Sequence, residues 1–166
     1  EEDLHMSILP TATPFARNAI FSGMFPQEIK TKNYDLWKKM FIDGEYNKYE
    51  KDLFEYALKS NKKFDKSFHY EKIINVSEGK KFYNKLNDFK NIDILSIVVN
   101  FVDILGHSRS ESQVLKELIP NESAYRLAVH NWFKNSWLKD CLIELSNWDA
   151  DILITSDHGN TMVSKA

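Results

Sequence analysis

Short apolar runs alternate with longer amphipathic segments along this chain, and the alternation predicts strands separated by helices. Residues 94–101 and residues 151–155 contain continuous apolar runs rich in Ile and Leu, which are typical of buried strands in a parallel sheet. Residues 6–9 form a shorter run that stops at Pro10, and residues 68–76 alternate before they become apolar. These segments are the predicted strands.

Helix signals occupy the intervals between these strands. Thr13 stands where an N-cap belongs, Pro14 follows at the first helical position, and Gly23 stands where a helix ends. Apolar residues at helical spacing predict further helices at 33–42, 46–60, 77–89 (capped by Ser77) and 122–147. The polar residues 108–121 are expected to be mobile.

Alternating strands and helices joined by long crossovers predict an α/β fold whose mainly parallel sheet is covered on both faces. At 166 residues the chain fits one domain, and its 43% apolar and 13% aromatic residues predict a globular protein. No run is long enough to span a membrane, so we expect no membrane insertion. The single Cys141 excludes an internal disulfide and suits a reducing compartment.

The charge is small overall but unevenly distributed. A net charge of −2 argues against a dedicated nucleic-acid surface. Residues 27–91 nevertheless hold 15 of the 19 lysines against 11 acidic residues, a local excess of four positive charges. This pattern favours a solvated, Lys-rich and mostly helical insertion, with a polyanion-binding patch as the alternative.

Candidate chemistry lies where the predicted strands end. Asp157 and His158 follow one apolar run, and Asp103 and His107 follow another, while Thr13 places a hydroxyl at a helix N-terminus. Carboxylate and imidazole groups are ready ligands of zinc and related cations, and ligands gather beyond the carboxyl ends of parallel strands. The pattern therefore predicts a metal site with a nearby hydroxyl nucleophile. A turn at Gly159 and plain helix capping by Thr13 are the alternatives.

Three motifs together resemble the alkaline phosphatase superfamily, in the order and spacing of its phosphodiesterase-like members. They are Thr13-Pro14 through Ser22-Gly23-Met24-Phe25-Pro26, Asp103-Ile104-Leu105-Gly106-His107 and Ser156-Asp157-His158-Gly159. Residues 9–13 and 16–23 look more narrowly like the PglZ domain. Residues 99–103, 124–126 and 154–159 resemble the PglZ output domain of PorX-type response regulators of Bacteroidetes.

The resemblance implies a three-layer α/β sandwich with a mainly parallel central sheet, here a partial domain over residues 1–166 that is truncated at both ends. It also implies a two-zinc phosphoesterase. Thr13 matches the nucleophile, which also binds metal; Asp103 and His107 match ligands of one zinc, and Asp157 and His158 match ligands of the other.

The chain also departs from the family pattern. Diesterase relatives commonly carry an Asn where this chain has Ala16, so Arg17 or Asn18 is the predicted substrate-binding residue. The family supplies one more ligand Asp from a strand before Glu1 and a ligand His beyond Ala166. We therefore expect these 166 residues alone to bind zinc weakly and to turn over slowly.

Several functions fit this resemblance. The first is metal-dependent hydrolysis of a phosphodiester or nucleotide by the output domain of a cytoplasmic two-component response regulator, with a receiver domain expected before Glu1 and a possible homodimer. The second is a non-catalytic regulatory module that retains the metal site and binds a signalling or type IX secretion partner through residues 27–91. The third is a phosphomutase of the same superfamily. A sulfatase falls behind, because residues 13–17 lack the C/S-x-P-x-R pattern.

Overall fold

The computed structural model describes residues 2–60 and 65–159 of this chain. They divide into two compact units. The first contains the described residues up to Asp65 together with 154–159, and the second contains residues 66–153. The predicted insertion, residues 27–91, contributes to both units.

The described part of the first unit is helical. Its α-helices are α1 (Thr13–Ser22), α2 (Pro26–Lys32), α3 (Tyr34–Trp37) and α4 (Glu50–Ser60), with a π-helical turn at Lys38–Ile42 and a 3₁₀ turn at Tyr46–Tyr49. Pro14 is the second residue of α1 and Pro26 is the first residue of α2, positions where a missing N–H costs no hydrogen bond. Gly23 ends α1 at φ 63° and donates its N–H to the Ala19 carbonyl, as the sequence predicts.

Four buried side chains form the core of this unit: Met24, Ile29, Met40 and Leu53. Aromatic side chains of the same helices, among them Phe21, Trp37 and Tyr49, pack around them. Each such side chain removed from water contributes about 1.5–3 kcal/mol of hydrophobic stabilisation. This core holds α1 against the helices that follow it.

The second unit combines a small sheet with helices. Strands β1 (Phe68–Ile73) and β2 (Ile94–Val99) pair in parallel, in register from Phe68 opposite Ile94 to Ile73 opposite Val99. The helices are α5 (Val76–Asn84), α6 (Phe101–Glu111), α7 (Gln113–Leu118), α8 (Glu122–Lys134) and α9 (Trp137–Leu145), with a 3₁₀ turn at Leu86–Phe89. Ile73, Phe82, Leu86, Trp137 and Cys141 form the core.

These elements confirm the mixed helix and strand class and the parallel pairing of two predicted strands. The strands predicted at 68–76 and 94–101 are present, each slightly shorter than expected. The crossover between them contains α5, as a parallel connection requires. The sheet of the described residues has two strands.

The strands predicted at 6–9 and 151–155 are wrong for this structure. Both segments lie outside regular secondary structure, and most of their apolar side chains are exposed, Met6 by 96% and Leu153 by 89%. A strand needs a neighbour to accept and donate its backbone hydrogen bonds, and neither segment pairs with another among the described residues.

Helix boundaries differ from the predictions at three places. The helix predicted at 122–147 is two helices, because the chain turns at Asn135 and Ser136. The stretch 108–121, predicted to be mobile, forms the end of α6 and all of α7, which the Ser112 side chain caps by accepting from the Leu115 N–H. The helix predicted at 77–89 ends at Asn84, and its cap is Asn75 rather than Ser77.

No helix among the described residues combines the length and the apolar character that crossing a membrane requires.

Gly79 of α5 is expected to tolerate no larger side chain, because it packs against Trp137. A Cβ atom added there would lie 2.0 Å from the indole Nε1 of Trp137, which is itself buried. We expect Gly79→Ala to lower the free energy of unfolding by about 1–3 kcal/mol despite the better helix propensity of Ala. Urea unfolding monitored by circular dichroism measures this change.

Ser77→Ala is the matched control, since Ser77 is exposed on the same helix. It should change the free energy of unfolding by less than about 0.5 kcal/mol. Equal stability of Gly79→Ala and the unsubstituted protein would contradict the packing described here.

Candidate functional site

The first turn of α1 leaves the Thr13 side chain available to a distant segment. Ala12, in an extended conformation (φ −84°, ψ 142°), is the N-cap, and its carbonyl accepts from the N–H groups of Phe15 and Ala16. The prediction that Thr13 caps this helix is therefore wrong: Thr13 is the first helical residue, and no side chain caps the end. Its Oγ1 lies instead 2.9 Å from Nε2 of His158.

His158 is oriented by its own chain. Its Nδ1 lies 3.0 Å from the carbonyl oxygen of Gly159. Because a carbonyl oxygen only accepts, this hydrogen bond places a proton on Nδ1, and in the tautomer with its proton there Nε2 holds a lone pair. The Thr13 hydroxyl therefore donates its hydrogen bond to Nε2.

Asp157 adds a carboxylate to this pair. Its Oδ2 lies 3.8 Å from His158 Nε2 and is buried without a hydrogen-bond partner among the described residues. The backbone of Asp157 is held by Ser7, whose hydroxyl donates to the Asp157 carbonyl at 2.6 Å. The side chains of Asp157 and His158 are 20% and 24% exposed. A shielded carboxylate oxygen thus faces an imidazole nitrogen.

Thr13, Asp157 and His158 fit the donor set of a zinc ion. Hydroxyl, carboxylate and imidazole atoms come together here, and the unsatisfied Asp157 Oδ2 is an acceptor that a cation would satisfy. The set is nevertheless small. No group of three His, Cys, Asp or Glu side chains placed to hold a metal occurs within 2–60 and 65–159.

Asp103 and His107 form a separate pair in the second unit. They lie one turn apart on α6, soon after β2 ends, with His107 Nε2 3.4 Å from Asp103 Oδ1. Their side chains are 43% and 77% exposed. The helical spacing alone brings this pair together, because residues four apart share a face. Their metal-binding role stays a prediction.

Arg17 and Asn18, the predicted substrate-binding residues, are both engaged within the first unit. The Arg17 Nε lies 2.6 Å from Oε1 of Glu50, whose side chain is only 1% exposed. Asn18 is fully buried, and its amide nitrogen donates to the carbonyls of Pro14 (2.7 Å) and Tyr46 (3.3 Å). Their role toward a substrate stays a prediction.

Sequence reasoning missed three residues that support the site. Ser7, Asn47 and Glu50 contact Asp157, Thr13 and Arg17 over separations of 150, 34 and 33 residues. No local spacing signals such contacts. One signal in the sequence was available for Glu50. It lies three residues before Leu53 and so shares the buried face of α4.

Cys141 is not a candidate nucleophile. It lies fully buried in the core of the second unit, and burial raises the pKa of its thiol to about 11. The thiol is therefore protonated near neutral pH, whereas the nucleophilic form of cysteine is the thiolate.

An open groove borders the Thr13 site. It has a volume of about 280 Å³ and is lined by α1, by the segment from His5 to Ile8 and by Asp157. Much of the lining is apolar, including Ile20 and Met24. A group of moderate size could therefore bind beside Asp157.

Removing the Glu50 carboxylate should destabilise the first unit strongly. Glu50→Ala takes the carboxylate away from a largely shielded guanidinium, which we expect to lower the free energy of unfolding by roughly 3 kcal/mol. Chemical denaturation measures the loss. The control is Glu55→Ala on the same helix, whose partner Lys59 is 73% exposed. The Glu55→Ala loss should be much smaller, and equal losses would contradict a special role for the buried pair.

Comparison with known proteins identifies the family. The family model described as the BREX system PglZ alkaline phosphatase-like domain matches residues 1–166. A search of the curated proteins finds no match. The predicted resemblance to the PglZ domain and to the alkaline phosphatase superfamily is thereby confirmed. Since the match covers the whole sequence, this chain belongs to the PglZ alkaline phosphatase-like family.

Proposed function

We propose that this chain carries the nucleophile site of a metal-dependent phosphoester hydrolase, with Thr13 as the nucleophile. One observation carries the proposal: Thr13 Oγ1 lies 2.9 Å from His158 Nε2, beside the buried Oδ2 of Asp157. Membership of an alkaline phosphatase-like family supports phosphoester hydrolysis as the reaction class.

Thr13 would attack the phosphorus of a phosphodiester. A bond forms between Thr13 Oγ1 and phosphorus, and the bond from phosphorus to the leaving oxygen breaks. The hydroxyl proton passes to solvent, and the leaving alkoxide takes up a proton from solvent. Water then attacks the phosphothreonine, restores the Thr13 hydroxyl and releases a phosphomonoester.

Asp157, His158 and Thr13 are the proposed ligands of one zinc ion. When bound, zinc would favour loss of the Thr13 hydroxyl proton and stabilise negative charge on the phosphoryl oxygens. The Gly159 carbonyl keeps Nε2 available by holding the proton on Nδ1. Ser7 fixes the backbone that carries the Asp157 carboxylate.

The resemblance extends this proposal to a second zinc ion at Asp103 and His107, with the remaining ligands outside these residues. A three-layer sandwich is the proposed fold of the complete domain. Arg17 and Asn18 are the proposed phosphate ligands; Arg17 lies one turn after Thr13 on the same face of α1 and also pairs with the buried Glu50. The Asn18 amide nitrogen already donates to two backbone carbonyls.

A regulatory output module is the second candidate function. The resemblance of residues 99–103, 124–126 and 154–159 to the output domain of PorX-type response regulators supports it. In this proposal a cytoplasmic two-component protein, of the kind associated with type IX secretion, uses the domain to bind a partner. Normal signalling by a Thr13→Ala protein in cells would favour this function over catalysis.

Thr13→Ala in the full-length protein should abolish hydrolysis of a bis-aryl phosphate, because no other hydroxyl contacts His158 Nε2 among the described residues. We expect kcat to fall by roughly 10³-fold or more, measured by release of the aryl alcohol. Thr13→Ser, which keeps the hydroxyl, should retain measurable turnover.

Thr31→Ala on α2 is the control, since its exposed hydroxyl donates only to the Gln27 carbonyl of its own helix. It should leave kcat unchanged. Undiminished turnover by Thr13→Ala would refute the nucleophile assignment.

Zinc binding should depend on Asp157. The 166-residue chain is expected to hold zinc below full occupancy after gel filtration, and Asp157→Asn should lower that occupancy further, as measured by elemental analysis. Asp140→Asn, an exposed carboxylate on α9, is the control and should leave zinc content unchanged. Full occupancy of two sites in the 166-residue chain would contradict the expected weak binding, and an Asp157→Asn protein with unchanged zinc content would contradict the ligand assignment.

A further inference from the structure

Two asparagine side chains bind the first turn of α1 to the 3₁₀ turn at Tyr46–Tyr49. The Asn47 amide nitrogen donates to the carbonyl of Thr13 at 3.2 Å and to Oδ1 of Asn18 at 3.3 Å. The Asn18 amide nitrogen donates to the Pro14 carbonyl at 2.7 Å and back to the Tyr46 carbonyl at 3.3 Å. Each asparagine thus donates to a backbone carbonyl of the other segment: Asn47 to that of Thr13, and Asn18 to that of Tyr46.

The backbone of this turn is shaped to make these bonds. Tyr46 adopts φ 38°, a left-handed backbone conformation that residues other than Gly rarely adopt. Asn47 departs from helical geometry at φ −99°, ψ 24°. Such conformations persist where surrounding contacts determine them, and they cluster at functional sites. The bonds to Thr13 and Asn18 are contacts of that kind.

The hydrogen bond from the Asn47 amide to the Thr13 carbonyl is additional to the hydrogen bonds of the helix. In an α-helix the carbonyl of residue 13 accepts from the N–H of residue 17, so the helix itself satisfies this group. The additional donor from Asn47 restricts how the first turn can tilt. Thr populates two χ1 rotamers in a helix, and here the hydrogen bond to His158 Nε2 selects one of them, so a shift of the Thr13 backbone moves Oγ1 relative to that partner.

We propose that Asn47 is a positioning residue for the Thr13 nucleophile, acting through the Thr13 carbonyl and the buried Asn18. The inference rests on the proposed function and deepens it. It makes a residue of the Lys-rich segment part of the support for the site. Asn47 itself touches neither the substrate nor the proton that Thr13 releases.

Asn47→Asp in the full-length protein tests the proposal. The substitution keeps the size of the side chain but places a carboxylate opposite two acceptors, the Thr13 carbonyl and Asn18 Oδ1. A displaced nucleophile should lower kcat for a bis-aryl phosphate by about 10- to 100-fold. KM should change much less than kcat, since the proposed effect is on the position of the nucleophile.

Asn87→Asp is the matched control. Asn87 is also the second residue of a 3₁₀ turn, Leu86–Phe89, and is exposed in the second unit. The substitution makes the same change, an amide to a carboxylate, at a residue that has no proposed role at the Thr13 site. Its kcat, KM and thermal unfolding midpoint should equal those of the unsubstituted protein.

A second measurement is independent of catalysis. In protein labelled with ¹³C at threonine methyl groups, the Thr13 resonance is assigned by its loss in Thr13→Ala. Asn47→Asp should shift or broaden that resonance, and Asn87→Asp should leave it in place. If the unsubstituted protein hydrolyses no ester, the proposed function fails, and the methyl resonance alone decides whether Asn47 positions Thr13.

Two results would overturn the inference: a kcat within about twofold of the unsubstituted protein, or an unmoved Thr13 methyl resonance in folded Asn47→Asp. If circular dichroism shows that Asn47→Asp does not fold, Asn47→Ala removes the donor without adding a charge, and the same two measurements apply. A fall in kcat with a moved resonance supports the inference.

Discussion

The hydrogen bond between Thr13 Oγ1 and His158 Nε2 joins residues 145 positions apart, and the other features of the first unit make it possible. Ala12 takes the N-cap position, which leaves the Thr13 side chain outside the helix-capping network. The Gly159 carbonyl holds the imidazole proton on Nδ1, so that Nε2 can accept. With the proton on Nε2 instead, the ring would donate to the Thr13 hydroxyl, and Nε2 would have no lone pair left for a cation.

One atom of this arrangement, Oδ2 of Asp157, lowers the stability of the folded protein. The buried Oδ2 of Asp157 lacks a hydrogen-bond partner among the described residues, and an unsatisfied buried acceptor costs about 1–3 kcal/mol. The hydrophobic core around Ile29, Met40 and Leu53 is large enough to offset such a cost, since each side chain contributes about 1.5–3 kcal/mol. An acceptor kept unsatisfied next to an imidazole lone pair is what a cation-binding position requires.

Much of the local structure could be predicted from the sequence, because its signals are local. The glycine that ends α1 and the strand pattern at 94–101 depend on backbone conformation and burial within a few residues. The apolar run at 151–155 has the same pattern as a buried strand, yet it lies outside regular secondary structure and is exposed here. The apolar pattern predicts that a segment could form a buried strand, but it does not indicate whether a neighbouring strand is present to pair with it.

Some features of the candidate site could likewise be predicted from the sequence, and others could not. The Asp157, His158 and Thr13 side chains were predictable as a group from their residue types and from the family resemblance, and the first unit brings them together. The contacts of Arg17 and Asn18 were not predictable. Whether an arginine faces a ligand or a buried carboxylate depends on Glu50, 33 residues away, which no spacing rule connects to it.

The Lys-rich segment shows why one stretch of chain can serve both proposed functions. Along the residues that follow Gly44, Lys48 and Lys51 are exposed, whereas Glu50 and Leu53 are buried. Asn47 and Glu50 use the inner side of this stretch to hold α1, whereas the outer side carries charges of both signs, with Lys48 paired to Glu45. The two proposed functions therefore rely on different side chains of this stretch: the inner ones for holding Thr13 and the exposed ones for a partner.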